Sequence, residues 1–178
     1  MQQINSGSTA ERQLVTDLYA DYQTKIYQYV VMIGCAPDSA QEITQEAFLR
    51  LYMVLRAGKK VEHPRAWVYR VAHNLAFDAA GCRAREAVLS DALVEKLASR
   101  DRGAEQALLE REWQDGFQAE FQNLSRQQRL CLELRAEGLR YREIASALGI
   151  QTSTVGRFLG RAMTRLKKWN QERNEALL

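Results

Sequence analysis

The chain has 178 residues, of which 46% are hydrophobic and 26% charged, and its formal net charge is +3. This length allows one domain or two small ones, and the apolar content excludes an intrinsically disordered chain. The sequence has no apolar run of about 18 residues and no basic-then-apolar N-terminus, so we expect neither a membrane span nor a secretory signal and predict a cytoplasmic protein.

The distribution of charge is more informative than its sum. Four arginines stand against one aspartate in residues 63–85, and four Lys/Arg stand against nine Asp/Glu in residues 86–123. Residues 140–173 hold eight Lys/Arg and two glutamates. Two basic segments flank an acidic one, and this pattern predicts two separate contacts with nucleic acid.

The chain is predicted to be all-α, because it has only two prolines and no convincing alternation of apolar and polar residues. We expect two small helical domains, residues 1–86 and 104–178, joined by a linker over residues 87–103 that is charged and rich in small residues. A short docked helix inside that linker is an equally good interpretation. Apolar periodicity predicts helices over residues 10–34, 38–57, 64–84, 104–122, 126–137, 141–148 and 152–170.

The second predicted helix has one apolar side and one mixed side. The apolar side is a wide core stripe that includes Ile43, Phe48 and Leu51. The opposite side combines acidic and amide groups with two outward apolar residues, namely Glu42, Gln45, Glu46, Leu49 and Met53. This mixture is typical of a protein interface, although single exposed apolar residues are also common on ordinary surfaces. Periodicity alone leaves both interpretations open.

The third predicted helix has an inward set, Val68, Val71, Ala72, Leu75 and Ala79, and a second stripe of Trp67, Arg70, Asn74 and Phe77. Arg83 and Arg85 extend its basic character. Interleaved Arg, Asn and aromatic residues suit single-stranded nucleic acid, although Trp67 is more simply a core residue. Asn74 is the sharper signal, because its amide can both donate to and accept from one base edge.

Residues 141–166, YREIASALGIQTSTVGRFLGRAMTRL, predict a helix-turn-helix motif. Gly149 can supply a left-handed turn residue, and Thr152 or Ser153 can cap the second helix. One side of that helix is apolar, and the other carries Arg157 and Arg161 with Gly156 and Gly160. Arg165 continues the arginines at the same spacing of four, and Thr152, Ser153 and Thr154 can bind phosphate at the helix start. An ordinary amphipathic hairpin with a solvated basic face is the alternative.

The three cysteines, Cys35, Cys82 and Cys131, are odd in number and widely spaced in apolar helical patterns. This arrangement favours buried free thiols over a disulfide framework or a zinc site. No nucleophile–base constellation, Gly-rich phosphate loop or metal motif is present in the sequence, so we predict no enzyme activity and no cofactor.

Three segments in this order resemble bacterial RNA polymerase sigma factors of the extracytoplasmic-function group. They are DSAQEITQEAFLRLY at 38–52, HPRAWVYRVAHNLAFD at 63–78 and LSRQQRLCLELRAEGLRYREIASALGIQTSTV at 124–155. One departure is TVGRFLGRA, where many relatives carry TVKSRLxRA, so that Gly156 stands in place of a basic residue.

The resemblance implies a role for each face. Glu42, Gln45, Glu46 and Leu49 match the contact with the β′ clamp helices of core polymerase, and the β flap is a further expected contact. Arg70, Asn74, Arg83 and Arg85 match the part that reads the unpaired −10 strand, where Asn74 helps to capture a flipped base. Residues 124–170 match the domain that reads the −35 duplex, through Thr152, Ser153, Thr154, Arg157, Arg161 and Arg165. An anti-sigma factor is the expected regulatory partner.

The predicted function is therefore a promoter-specificity subunit that binds core polymerase, recognises the −35 and −10 elements and assists DNA melting. The main alternative is a homodimeric helix-turn-helix regulator that acts without core polymerase. A second alternative is an interaction protein whose basic helices only dock partners.

Overall fold

Helices make up nearly all of the computed structural model, which describes residues 4–79 and 104–176. Every regular element in those ranges is a helix, as the all-α prediction requires. The helices are α1 (Ile4–Ile33), α2 (Pro37–Arg56), α3 (Pro64–Asp78), α4 (Ala104–Gln122), α5 (Arg126–Ala136), α6 (Tyr141–Leu148) and α7 (Thr152–Ala176).

The chain forms two compact units, the first built on α1–α3 and the second on α4, α5, α7 and the start of α6. In the first unit each helix packs on the other two, because all three carry an apolar stripe. Its core includes Ile26, Tyr29, Val30, Ala47, Phe48, Leu51, Val68, Tyr69 and Ala72, all nearly inaccessible to solvent. The predicted domain boundaries at 86/87 and 103/104 lie outside the described ranges or at their edge and stay predictions.

In the second unit α7 packs against both α4 and α5. An aromatic cluster fills the space between these helices, with Phe117, Phe121, Leu124 and Ala162 buried and Trp113, Leu132, Leu166 and Trp169 packed around them. The α5 helix starts at a capping box. The Ser125 hydroxyl accepts from the Gln128 backbone, and the Gln128 side chain accepts from the Ser125 backbone at 2.8 Å.

Several helix ends differ from the predicted ones. The α1 helix begins at Ile4 rather than at residue 10, and α7 ends at Ala176 rather than at residue 170. The third helix ends at Asp78 rather than at residue 84, because Ala79 turns into an extended conformation with ψ of 112°. The apolar pattern continues past this point, but the following Gly81 lowers the helix propensity of that stretch. The α7 helix begins at Thr152 itself, and the backbone N–H groups of Thr154 and Val155 donate to the Gln151 carbonyl. Gln151 therefore stands at the position before the helix that Thr152 or Ser153 was expected to hold.

The prediction of free thiols is confirmed at Cys131, which is buried and unbonded. It is wrong at Cys35, which is disulfide-bonded. Periodicity correctly places Cys35 in the core, where it is 5% exposed. It carries no information on which other cysteine the fold brings near, and this is why the pairing was missed.

Candidate protein and nucleic-acid interfaces

The outward side of α2 is a mixed acidic and apolar surface. Pro37 occupies the first turn of α2, and one side of the helix is buried in the first unit. On the other side Leu49 and Met53 are 52% and 60% exposed. Glu42 and Gln45 are exposed beside them, and Glu46 is half-buried. The four side chains predicted to bind core polymerase thus share one accessible side of one helix.

This surface continues onto the end of α3. An open groove of about 690 Å³ is lined by Glu42, Ile43, Gln45, Glu46 and Leu49 from α2 and by Leu75, Asp78 and Ala79 from the end of α3. We call this lining the α2–α3 groove. Three carboxylates lie around its apolar floor, although Glu46 also forms an exposed ion pair with Arg50 at 2.7 Å. Such a pair contributes little to stability and leaves the groove acidic. The sequence pattern alone does not bring Leu75 and Asp78 to this groove, because periodicity treats each helix alone.

The buried side of α3 differs from the predicted one. Val68 and Ala72 are buried as expected, but Val71, Leu75 and Ala79 are only half-buried. The other buried residues are Ala66, Tyr69, His73 and Ala76. The difference arises because α3 packs against both α1 and α2, so its contact surface is wider than one apolar stripe. His73 tolerates burial because its Nδ1 lies 2.9 Å from the Tyr29 hydroxyl, within hydrogen-bond distance.

The second stripe of α3 lies on the accessible side of that helix. Asn74 and Phe77 are exposed, whereas Arg70 is half-buried and so is Trp67. Arg70, Asn74 and Phe77 follow one another at intervals of four and three residues, so they line one helix face. We call these three residues the α3 face. Arg83 and Arg85, the other two residues predicted to contact the −10 strand, lie outside the described residues.

The helix-turn-helix is formed by α6, a tight turn and α7. Gly149 ends α6 in the left-handed conformation with φ of 64°, as predicted. The Ile150 N–H donates to the Ala145 carbonyl at 3.1 Å and closes the turn. Thr152 and Ser153 are exposed, and Thr154 is half-buried, in the first turn of α7. The first backbone N–H groups of a helix lack intrahelical partners, here those that precede Thr154, so this end of α7 is chemically suited to phosphate.

One side of α7 is apolar and the other basic. Val155, Leu159 and Ala162 are buried, whereas Arg157, Arg161, Thr164 and Lys168 are accessible. Arg157 and Arg161 are four residues apart and therefore project from one face. Within the described residues neither guanidinium has a hydrogen-bond or ion-pair partner, so both are accessible to a ligand. We call this side of α7, including the first turn, the α7 face.

Arg165 has a different environment from the other two arginines. Its Nε donates to Glu120 Oε2 at 2.8 Å, and its Nη1 donates to the Asn123 carbonyl at 3.2 Å. The hydrogen bond from Arg165 also holds the pKa of the Glu120 carboxyl below its usual 4.5, against a smaller opposing effect of desolvation. Arg165 therefore ties α7 to the end of α4, and this geometry favours a structural role over the DNA contact expected from its spacing.

The two glycines on the α7 face are not required by packing. A Cβ at Gly156 would lie 3.9 Å from Cε2 of Tyr141, an ordinary van der Waals distance. A Cβ at Gly160 would have no atom within 4 Å. Alanine therefore fits at both positions within the protein.

Neither a metal-binding cluster nor a membrane-spanning helix is found in the described part of the chain. Residues 4–79 and 104–176 contain no group of three or more His, Cys, Asp or Glu able to hold a metal ion. Over the same ranges no helix has the length and apolar character needed to cross a membrane.

Comparisons with known proteins match both units. Residues 18–86 match the family model for Sigma-70 region 2, and residues 115–166 match that for Sigma-70, region 4. The RNA polymerase sigma-H factor of Pseudomonas aeruginosa is 30% identical over 160 residues, which cover 85% of this chain and 83% of that protein. CnrH, solved in complex with the cytosolic domain of CnrY, superimposes with a TM-score of 0.56 over 95% of both chains. At 17% identity this last likeness concerns the fold alone.

Proposed function

Because the chain belongs to the extracytoplasmic-function group of the sigma-70 family, we propose that three separate faces carry out promoter recognition. The family comprises promoter-recognition factors for transcription initiation, not enzymes. In our proposal the α2–α3 groove binds core RNA polymerase, the α3 face binds the unpaired −10 strand, and the α7 face binds the −35 duplex.

The main support for this proposal is the chemistry of the three accessible faces. The α2–α3 groove is acidic and apolar, the α3 face combines an arginine and an amide with an aromatic ring, and the α7 face presents arginines. A homodimeric helix-turn-helix regulator would use the α7 face and leave the other two without a role. A sigma factor uses all three.

The α2–α3 groove fits a basic amphipathic helix. Glu42, Glu46 and Asp78 supply negative charge around Leu49 and Leu75, so a partner needs Arg or Lys around an apolar stripe. In this proposal the partner is the pair of β′ clamp helices. The β flap is a second polymerase contact that the family implies.

At the −35 element Arg157 and Arg161 bind guanine edges or phosphates of the duplex. Each bidentate arginine–guanine pair is worth about 1–3 kcal/mol of discrimination against another base. Thr152, Ser153 and Thr154 bind backbone phosphate through their hydroxyls, and Thr152 and Ser153 also through their N–H groups, which sets the register of α7 on the duplex without reading sequence.

At the −10 element Asn74 hydrogen-bonds a base that has left the stack, and Arg70 binds the strand beside it. The free energy for opening the duplex comes from these contacts, which offset the loss of stacking and pairing.

In this proposal transcription initiation takes place in the cytoplasm, together with the polymerase. CnrH was solved in complex with the cytosolic domain of CnrY. For this chain we propose an anti-sigma factor as the partner that masks its polymerase and DNA faces.

The test combines the purified chain with sigma-free bacterial core polymerase and a pool of genomic DNA, and it measures core affinity and promoter-dependent transcripts. Glu46→Lys should weaken core binding, because it places a cation in the acidic groove. Glu112→Lys makes the same charge change on an exposed site of α4 and is its control. Asn74→Ala should keep core affinity and lose transcripts, whereas Gln13→Ala, an exposed amide of α1, should keep both.

The dimeric alternative predicts a different result. The protein alone would bind a palindromic duplex tightly, would not bind core polymerase, and would give no transcripts with it. That outcome would replace the proposed function.

A further inference from the structure

We propose that Glu120 holds Arg165 away from the phosphates of DNA and thereby limits the affinity of the α7 face for duplex DNA of any sequence. This inference rests on the proposed function of the α7 face and adds to it a residue that restrains binding. It starts from the different environments of Arg157, Arg161 and Arg165, which form one regular series on α7.

Arg165 lies at the edge of the α7 face, within reach of a ligand bound there. It follows Arg161 by four residues, so the Cβ atoms of the two arginines are about 5–6 Å apart. Both side chains line an open groove of about 640 Å³, which Gly160, Thr164 and Lys168 also line. The Arg165 side chain is 48% exposed. A DNA phosphate bound at Arg161 would therefore be accessible to Arg165 as well, if its guanidinium were not held elsewhere.

The end of α4 holds Arg165 instead. The Arg165 Nε donates to Glu120 Oε2 at 2.8 Å and its Nη1 donates to the Asn123 carbonyl at 3.2 Å, so two of the three guanidinium nitrogens have protein acceptors. The Asn123 Nδ2 donates to the other carboxylate oxygen of Glu120 at 3.4 Å. The hydrogen bond from Arg165 also lowers the pKa of the Glu120 carboxyl, so Glu120 is ionised at neutral pH. Glu120 therefore occupies donors that could otherwise bind a phosphate.

The other cations on this side of α7 are not held in the same way. Arg157 and Arg161 have no hydrogen-bond or ion-pair partner among the residues that the structure describes. Lys168 pairs at 3.5 Å with Glu172 of its own helix, and the two side chains are 74% and 63% exposed. Such an exposed pair contributes little, so a phosphate can replace it. Arg165 differs because a carboxylate of a second helix binds it, and that carboxylate side chain is only 24% exposed.

The restraint acts on the part of the DNA affinity that does not depend on sequence. Each phosphate that a protein cation neutralises releases counterions and changes the slope of log K against log salt concentration by about 0.9. Restraint of Arg165 removes one such contact. A genome offers a large excess of nonspecific sites, so weaker nonspecific binding leaves more of the chain available to core polymerase and to promoters.

The experiment measures binding of the full chain to a fluorescein-labelled duplex of random sequence by fluorescence anisotropy, over a series of salt concentrations. The variants are Glu120→Gln, Arg165→Gln and the double variant that combines them. Glu172→Gln is the matched control, because it removes the same charge from the same groove and also has a cation as its partner. A variant with both Arg157→Ala and Arg161→Ala tests the α7 face itself. Thermal denaturation of each variant checks that it is folded.

Glu120→Gln should bind the duplex about 5-fold more tightly than the wild-type chain at about 50 mM salt, with a salt slope steeper by about 0.9. This advantage should therefore fall to about 1.5-fold at about 200 mM salt. Arg165→Gln should keep the wild-type slope, because Arg165 contacts no phosphate in the wild-type complex. The double variant should keep it too, and Glu172→Gln should change the slope by less than about 0.3.

No gain for Glu120→Gln would overturn the inference. An equal gain for Glu172→Gln or for the double variant would also overturn it, because removal of a negative charge would then explain the effect without Arg165. A slope shallower by about 0.9 for Arg165→Gln alone would overturn it as well, because Arg165 would already bind a phosphate in the wild-type complex.

The variant with Arg157→Ala and Arg161→Ala separates this inference from the proposed function. Weaker duplex binding by that variant, together with any of the contradicting results, would overturn the restraint by Glu120 and leave the proposed role of the α7 face intact. Duplex binding equal to that of the wild-type chain would remove the proposed role of the α7 face and this inference together.

Discussion

Two glycines in helix interiors of the second unit provide a paired test of how α4 and α7 pack. Gly116 lies in α4 and Gly160 in α7. A Cβ at Gly116 would come 2.8 Å from Cζ2 of Trp169, whereas a Cβ at Gly160 would meet no atom within 4 Å. Replacement by alanine therefore adds the same methyl group to a contact in one variant and to open space in the other.

The expected changes in the free energy of unfolding have opposite signs. Alanine in place of glycine in a helix interior stabilises by roughly 1 kcal/mol, and Gly160→Ala should show this gain alone. Gly116→Ala has the same gain but must displace the Trp169 ring, which also packs against Trp113 and Phe117 at centroid distances of 6.0 and 6.2 Å. Overpacking costs about 1–3 kcal/mol, so the net loss for Gly116→Ala should be about 1 kcal/mol.

Urea denaturation of the full chain, followed by tryptophan fluorescence, measures both changes. A Trp67→Phe background leaves only Trp113 and Trp169, both in the second unit, as reporters. The midpoint should rise for Gly160→Ala and fall for Gly116→Ala at an unchanged slope. The propensity term is common to both variants, so their difference of about 1–3 kcal/mol isolates the contact with Trp169. A difference below about 0.5 kcal/mol would refute the argument, because Trp169 would then move away at no cost.

Three further measurements test single contacts. Arg165 lowers the pKa of the Glu120 carboxyl in the folded protein, so the ionised carboxylate stabilises the fold above pH 4.5, the pKa of the unfolded chain. This stabilisation is lost as the pH falls through the lower pKa of the folded state. In urea denaturation, the stability of Glu120→Gln should therefore depend less on acid pH than that of the wild-type chain. Burial raises the pKa of the Cys131 thiol to about 11. Iodoacetamide at about pH 8 should therefore label the peptide that contains Cys131 slowly in native protein and rapidly in urea. Rapid labelling of the native protein would contradict the burial of this thiol. Ser125→Ala should lower the unfolding free energy by about 1 kcal/mol and Ser125→Asp much less, as measured by thermal denaturation, because only alanine removes the cap of α5.

The features that the sequence predicts well are those determined by local chemistry. Gly149 ends α6 because a left-handed residue is easiest for glycine, and Pro64 starts α3 because its missing N–H is not needed in a first turn. The apolar side of α7 follows directly from the helical spacing of its apolar residues. The capping box at Ser125 and Gln128 also has a sequence signature, a serine followed three residues later by glutamine, which the prediction of α5 did not use.

Features that depend on a second helix were harder to predict. The inward side of α3 is broader than one stripe, because α1 and α2 both cover it, so Tyr69 and His73 are buried although periodicity places neither there. Burial of His73 also needs the Tyr29 hydroxyl, which is 44 residues away in sequence. No local pattern indicates such partners.

The three arginines of α7 show what this difference means for function. Arg157, Arg161 and Arg165 form one regular series in sequence, and spacing alone assigns them the same role. Arg165, however, donates to Glu120 and to the backbone of Asn123, which lie 45 and 42 residues earlier. Moving it to DNA would cost those hydrogen bonds and leave the Glu120 carboxylate without its cation. In the proposed function, the reading of sequence by α7 therefore rests on Arg157 and Arg161, while Arg165 bonds to the end of α4.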